Sequence, residues 1–343
     1  MSQKKLNKKS FYTILYCITG FMLLISLFGR DMSLITRLSC FLSQYVSFFA
    51  SILFFKELFK EKDESMAYFG VLLLAISPYR FFIAFEQKDK WISLAFSLLP
   101  LLAFFVLKSV KNKEKKILFI ILGGAVLGAI GFLHFPAFTV LIFVLLTVII
   151  VFKAPLLLIT LALGVAISIP FCLNTLRYLL YGGFEELNYS CQSIMTSGYR
   201  FGSFFNTFVN IDSNPGFGIG LIITLITGAW NLLSGKKRDR QKYDYYMFAA
   251  GIFFMILASR KFPWEFVQRV ADIFLRYVGM FGNTTIFAGL AYCFFTVIGA
   301  KAIGNLGDNE KEEKAFEIYE LVRLTVIFIC IGTYILQSSL ILK

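Results

Sequence analysis

The stretch 259–285, SRKFPWEFVQRVADIFLRYVGMFGNTT, is neither an ordinary apolar span nor an ordinary polar loop. Phe262, Phe266, Val270, Ile273/Phe274 and Tyr277 recur at helical spacing and form one apolar face. Glu265, Arg269, Asp272 and Arg276 form the other, with two acid-first pairs at i,i+4, the favourable order. Pro263 suits the first helical turn, where a missing N–H costs little, and Trp264 suits the water–lipid boundary. The pattern predicts an amphipathic helix over 259–278 lying in a membrane interface. Two uses fit it: a surface helix laced by its own ion pairs, or a basic floor that grips an anionic lipid head group.

Working outward, the chain supplies the membrane that such a helix needs. Of 343 residues, 58% are hydrophobic and 16% charged, with a mean hydropathy of +0.73. A soluble domain cannot hide that much apolar surface. Backbone groups in lipid must be satisfied within the segment, so the expected fold class is an all-α polytopic membrane protein. Eleven apolar segments approach spanning length: 11–29, 33–55, 66–85, 91–108, 117–133, 137–152, 155–171, 215–233, 243–258, 279–300 and 320–341. The second holds Arg37 and Gln44, and the third holds Pro78 and Arg80. The first run is too long for the core of a signal peptide and lacks a small-residue cleavage site, so it reads as a span behind a basic tail.

The net charge of +13 is explained by topology. With the N-terminus inside, 21 of the 34 Lys and Arg fall on the cytoplasmic side and 11 outside, while Arg37 and Arg323 lie within spans. This asymmetry predicts a cytoplasmic N-terminus and an outer C-terminus. The cations sit in short loops rather than a stripe, and no RNP, helix-turn-helix or zinc pattern appears, so no nucleic-acid partner is expected. The single histidine excludes a multi-histidine metal site.

The unusual residues then gather on the outer side. Ser77-Pro78-Tyr79-Arg80 ends or kinks the third segment before the charged loop Glu86 to Lys90. An arginine at this depth has two readings. Its head shares a lipid-phosphate pocket with Arg260, Lys261 or Arg269, or it is structural and pairs with Glu86, Asp89 or a backbone carbonyl. His134-Phe135-Pro136 reads as a tight turn, with His134 a polar turn residue rather than a general base. The region 172–214 reads as a long outer loop that carries both Cys172 and Cys191, whose pairing sequence alone does not decide; Cys17, Cys40, Cys293 and Cys330 read as small packing residues inside spans. The outer carboxylates form no spaced acid–base pair, and no DxD, GxSxG, HExxH or P-loop is present.

Two stretches carry a family resemblance. Residues 72–140 run through an apolar segment ending in Pro78-Tyr79-Arg80, a charged turn, a helix with Leu98-Leu99-Pro100-Leu101, a Lys-rich loop and a span ending in His134. Residues 250–300 give an apolar span ending in Phe262-Pro263-Trp264, an amphipathic segment and a further span. Together these resemble the YfhO-like bacterial membrane proteins of the GT-C glycosyltransferase superfamily, which include the 6-pyruvoyl-tetrahydropterin synthase-related membrane proteins.

The resemblance implies a GT-C-like fold of about eleven spans in a bacterial plasma membrane. It implies transfer of sugar from a polyprenyl-phosphate carrier on the outer face to a cell-envelope glycan or lipid. The family's catalytic carboxylate lies in a large loop after the first span, which here is the short Gly29-Arg30-Asp31, so the chain reads as a shortened member, active or inactive. On this reading Asp31, Glu86 or Asp89 is the catalytic carboxylate. Arg80, Arg260, Lys261 and Arg269 grip the lipid phosphate, since a guanidinium fork suits phosphate recognition. No cofactor is named by these residues. Two other classes stay open, a transporter or lipid flippase and a non-catalytic partner of another membrane subunit.

Overall fold

The structure is a computed structural model. It describes residues 2–24, 33–59, 64–77, 80, 90–112, 114–181, 198–205, 216–234, 242–264, 266, 285–304, 306 and 313–342. The described chain is helical: α1 (Ser2–Met22), α2 (Leu34–Leu58), α3 (Glu64–Ala75), α4 (Lys90–Ser97), α5 (Leu99–Lys111), α6 (Lys116–Leu133), α7 (Phe135–Phe152), α8 (Leu157–Tyr181), α9 (Gly218–Ser234), α10 (Lys242–Ala258), α11 (Thr285–Gly304) and α12 (Glu313–Leu342). A short 3-10 turn occupies Phe201–Phe205.

Six helices among the described residues are long and apolar enough to cross a membrane, within α2, α4–α5, α6, α7, α11 and α12. Shorter apolar helices occupy Ser10–Met22, Glu64–Ala75, Leu157–Phe171, Gly218–Leu233 and Tyr243–Ala258. Large apolar side chains cover their outer surfaces, with Phe21 74%, Phe328 70% and Ile150 76% exposed. That is the surface of a helix bundle solvated by lipid rather than water.

The chain divides into two compact units, one of residues 1–93, 202–251 and 292–343, the other of residues 94–201 and 252–291. In the second unit, α6 and α8 pack closely because glycines remove the side chains between them. A Cβ on Gly124 would lie 2.7 Å from Leu163 Cβ, and one on Gly128 2.6 Å from Ile167 Cβ. Gly164 makes the reciprocal gap for Leu127, and Thr160 Oγ1 donates to the Ile120 carbonyl at 3.2 Å. Small residues and a cross-helix hydroxyl are how helices associate where lipid supplies no hydrophobic drive. The contacts advance in the same direction on both helices, so α6 and α8 are parallel, with α7 between them in sequence.

Turn chemistry sets the entry to α7. His134 is extended, at φ −154° and ψ 91°, and its Nδ1 accepts the Ala137 N–H at 3.2 Å, with proline next in the first turn. It is the polar turn residue expected, acting as a helix N-cap. The segment 91–108 is interrupted at Leu98, between α4 and α5, where Pro100 removes one helix donor.

In the first unit, α3 and α11 run antiparallel. Gly304 receives Met66 at one end, and Tyr292 Oη donates to the Leu73 carbonyl at 2.7 Å toward the other. Arg323 of α12, 2% exposed, closes the Gly304 end. Its guanidinium donates to the carbonyls of Ile303 (3.3 Å), Gly304 (2.7 Å) and Leu306 (2.6 Å), and to Glu320 Oε1 at 2.6 Å. The carbonyls left over at a helix C-terminus are thereby met by a cation, which also suits the negative end of the helix dipole.

Trp264 departs from the expectation of a water–lipid boundary residue. It is 1% exposed, stacked at 6.3 Å on Phe287 of α11 and edge-on to Phe262 at 4.6 Å. The turns from Ser259 to Phe266, with Phe262 N–H on the Ser259 carbonyl and Phe266 N–H on Pro263, fold its ring back against α11. The rest of the expected amphipathic helix, beyond Phe266, lies outside the described residues. Cys40 and Cys330 are buried, as packing residues should be, whereas Cys17 is exposed. Helix α8 continues to Tyr181, ten residues past the expected end of its span, and the Cys172–Cys191 pairing lies outside the described side chains.

Candidate functional site: a buried polar layer around Arg80

Helix α2 carries Ser43, Ser47 and Ser51 at i, i+4, i+8, so all three project from one face. Each is fully buried, as is Gln44 at 1% exposure. Lipid offers such groups no partner; Ser43 Oγ and Ser51 Oγ donate within the helix, to the Cys40 carbonyl at 2.9 Å and the Ser47 carbonyl at 2.6 Å, and neighbouring segments add further partners. Three segments of the same unit supply them.

The first is the end of the third apolar segment. Arg80 is 6% exposed, and its backbone N–H is held by Ser77 Oγ at 3.0 Å. Its Nη2 donates to the Ser43 carbonyl at 3.1 Å. The second is α4, whose Ser93 Oγ lies 2.9 Å from Ser43 Oγ. The third is α12, where Tyr334 Oη donates to Gln44 Oε1 at 3.3 Å. Ser43, Gln44, Arg80, Ser93 and Tyr334 thus form one buried layer. At 1.5 Å per residue, Tyr334 lies about 17 Å along α12 from the Arg323 cap, toward the far end of the apolar stretch Ile318–Gln337.

Two more buried polar side chains flank this layer. Ser47 Oγ makes no hydrogen bond among the described residues, although a helical serine commonly bonds the carbonyl four residues back. That carbonyl belongs to Ser43 and receives Arg80 Nη2. Gln337, 2% exposed, likewise makes no bond through either amide atom among the described residues.

Of the residues singled out in the sequence, Arg80 and Gln44 fall in this layer among those described. Arg80 takes a backbone-carbonyl partner, the contact expected of an arginine with a structural role. Arg260 and Lys261 belong to the second unit, on a turn whose Arg260 N–H donates to the Tyr199 carbonyl at 3.0 Å. That turn runs close enough to Gly198 that a Cβ there would meet Arg260 Cα at 2.8 Å. Arg260 is half-buried and Lys261 exposed. Asp31, Glu86, Asp89 and Arg269 lie outside the described residues. Sequence reading missed Ser43, Ser47, Ser93, Tyr334 and Gln337. The signal that could have found the first two is the four-residue spacing of serines in α2; the other three are joined to them only by the fold.

Compared with protein-family models, with curated proteins and with solved structures, the chain matches none.

Proposed function

We propose that this chain is a GT-C-like membrane protein of about eleven spans that engages a polyprenyl-phosphate-linked sugar at the outer face of a bacterial plasma membrane. Its N-terminus is cytoplasmic and its C-terminus outside. Six helices among the described residues are long and apolar enough to cross a membrane, and five more apolar helices are shorter; the eleven-span reading counts both sets. The observation that carries the functional reading is Arg80, a cation buried to 6% exposure within a layer of hydroxyls and amides. A guanidinium within an apolar span is costly and is a functional suspect by default, and the carrier reading takes Arg80 as that suspect. Its Nη2 rests on the Ser43 carbonyl at 3.1 Å, and a guanidinium is the group that suits phosphate oxygens.

The resemblance also assigns Arg260, Lys261 and Arg269 as lipid-phosphate cations. Asp31, Glu86 or Asp89 serves as the carboxylate if the protein transfers the sugar. The test is carrier binding in lipid nanodiscs followed by native mass spectrometry. Retention of undecaprenyl phosphate over an excess of phosphatidylglycerol is expected. Equal retention of the two lipids contradicts the reading.

A transporter is the second reading, favoured by the same polar layer lying at membrane depth. Uptake of a polar solute by proteoliposomes, without carrier selectivity, would support it instead.

A further inference from the structure

The turn between α5 and α6 carries charge that its own fold does not use. Two candidate spans, Trp91–Lys111 and Lys116–Leu133, meet there, and the Phe105 and Phe119 rings stack between them at 6.3 Å. Residues 108–116, KSVKNKEKK, hold five lysines and one glutamate, a net charge of +4. Lys108 and Lys111 lie in the last turn of α5, where the negative end of the helix dipole favours a cation. Lys115 and Lys116 lie at the start of α6, where the positive end disfavours one. No acidic residue stands in that first turn, and the Lys115 side chain makes no cap. Asn112 Oδ1 accepts the N–H groups of Glu114 and Lys115 at 3.1 and 3.3 Å, so the polar side chain of the turn holds the turn itself. Among the described residues neither Lys115 nor Lys116 has an ion-pair partner, and the neighbouring Glu114 is exposed.

An apolar stripe lies directly beneath these cations. Helix α6 buries its glycine face against α8 and leaves Leu118, Ile121, Leu122 and Ala125 exposed. Leu118, Leu122 and Ala125 follow Lys115 by three, seven and ten residues, so one helix face carries the cation first and the stripe after it. Helical side chains lean toward the N-terminus, here toward the membrane surface, and a lysine stem lies along apolar surface while its ammonium reaches polar surroundings. Because both spans end at this turn, the ammonium groups stand at the level of lipid phosphates. The stripe runs on to the depth of the acyl chains.

We propose that the α5–α6 turn binds an anionic phospholipid, with Lys115 and Lys116 on its phosphate and Leu118 and Leu122 along an acyl chain. Membrane topology asks only that cations collect on one side. It does not ask for two of them at the unfavourable end of a helix, above an exposed stripe of the same face. A lipid phosphate supplies the charge the turn lacks, and basic clusters beside a membrane helix are what draw anionic lipids from a mixed leaflet. A zwitterionic lipid brings its own cation and gains less from the lysines. This site stands apart from the carrier reading, since Arg80 belongs to the first unit and the turn to the second.

The experiment places the full chain in nanodiscs of equimolar phosphatidylglycerol and phosphatidylcholine and reads the lipid retained after mild extraction by native mass spectrometry. Wild type is expected to retain phosphatidylglycerol about fivefold over phosphatidylcholine. The Lys115→Gln/Lys116→Gln pair should lose most of that enrichment, and Lys115→Arg/Lys116→Arg should keep it. Lys153→Gln, which removes a lone exposed lysine at the end of α7, should leave it unchanged. In detergent without added lipid the Gln pair should unfold at or above the wild-type temperature, because it relieves the helix end. Absence of enrichment in wild type overturns the proposal, as does undiminished enrichment in the Gln pair. An equal fall in Lys153→Gln would make the preference a matter of net charge, and a lower unfolding temperature in the Gln pair would make the lysines structural; either result overturns it. Displacement of phosphatidylglycerol by millimolar inorganic phosphate would mark a free-anion site and overturn the assignment to lipid.

Discussion

The Arg80 guanidinium donates to the carbonyl of Ser43 at 3.1 Å, joining positions 37 residues apart in the chain. The carbonyl it reaches lies four residues before Ser47 on the buried serine face of α2. The bond also holds a positive charge at a fixed height among Ser43, Ser93, Gln44 and Tyr334.

Substitution of Arg80 separates charge from geometry. Arg80→Lys keeps the cation but loses the planar fork, and it should weaken undecaprenyl phosphate binding by about threefold to tenfold; Arg80→Ala should lose it by more than tenfold. Native mass spectrometry of lipid carried through purification reads both. Unchanged binding in both variants reduces Arg80 to a packing role.

Arg323 is a structural arginine and gives a contrasting result. It joins three carbonyls at the end of α11 to Glu320 of its own helix. Arg323→Ala should lower stability by about 3 kcal/mol, since it strands buried acceptors. Arg323→Lys should recover only part of this. Thermal unfolding in detergent measures the loss, and a change within about 0.5 kcal/mol would show that the cap is dispensable.

The α6–α8 contact depends on missing side chains. Gly128→Leu should destabilise by about 2 kcal/mol or more, because Ile167 already occupies the space. Gly332→Ala is the control: a Cβ there meets nothing within 4 Å, and the helix gains up to about 1 kcal/mol from the better helix former. Equal effects of the two substitutions on unfolding temperature would contradict the packing described.

How much of this was legible beforehand varies from residue to residue. The helices were, because long apolar runs in lipid have few alternatives, and His134-Phe135-Pro136 announced its turn through local chemistry. Trp264 was misplaced because a tryptophan beside a proline looks the same at an interface as in a core. Only its stacking on Phe287 decides, and that ring lies in another helix. The polar layer was half legible. Arg80 and Gln44 stood out in apolar surroundings, and the four-residue spacing of Ser43, Ser47 and Ser51 could have been read as one face. Ser93 and Tyr334 join them through pairings that span 50 residues, for Ser43 with Ser93, and 290, for Gln44 with Tyr334.

Topology rests on the distribution of Lys and Arg. A reporter fused after Lys237 should be cytoplasmic, and one after Lys343 should be outside. A cytoplasmic C-terminus would mean that an odd number of crossings is wrong, and one of the shorter apolar helices would then lie within the membrane without crossing it.

The central claim is that a polyprenyl-phosphate head group enters the polar layer around Arg80. Photo-crosslinking tests it most directly, with an undecaprenyl phosphate analogue bearing a diazirine beside the phosphate. The account predicts labelled peptides from α2, the Arg80 segment and α12, labelling competed away by unmodified undecaprenyl phosphate, and loss of that label in Arg80→Ala. Uniform labelling of the lipid-facing helices, insensitive to the competitor and to the substitution, would contradict it.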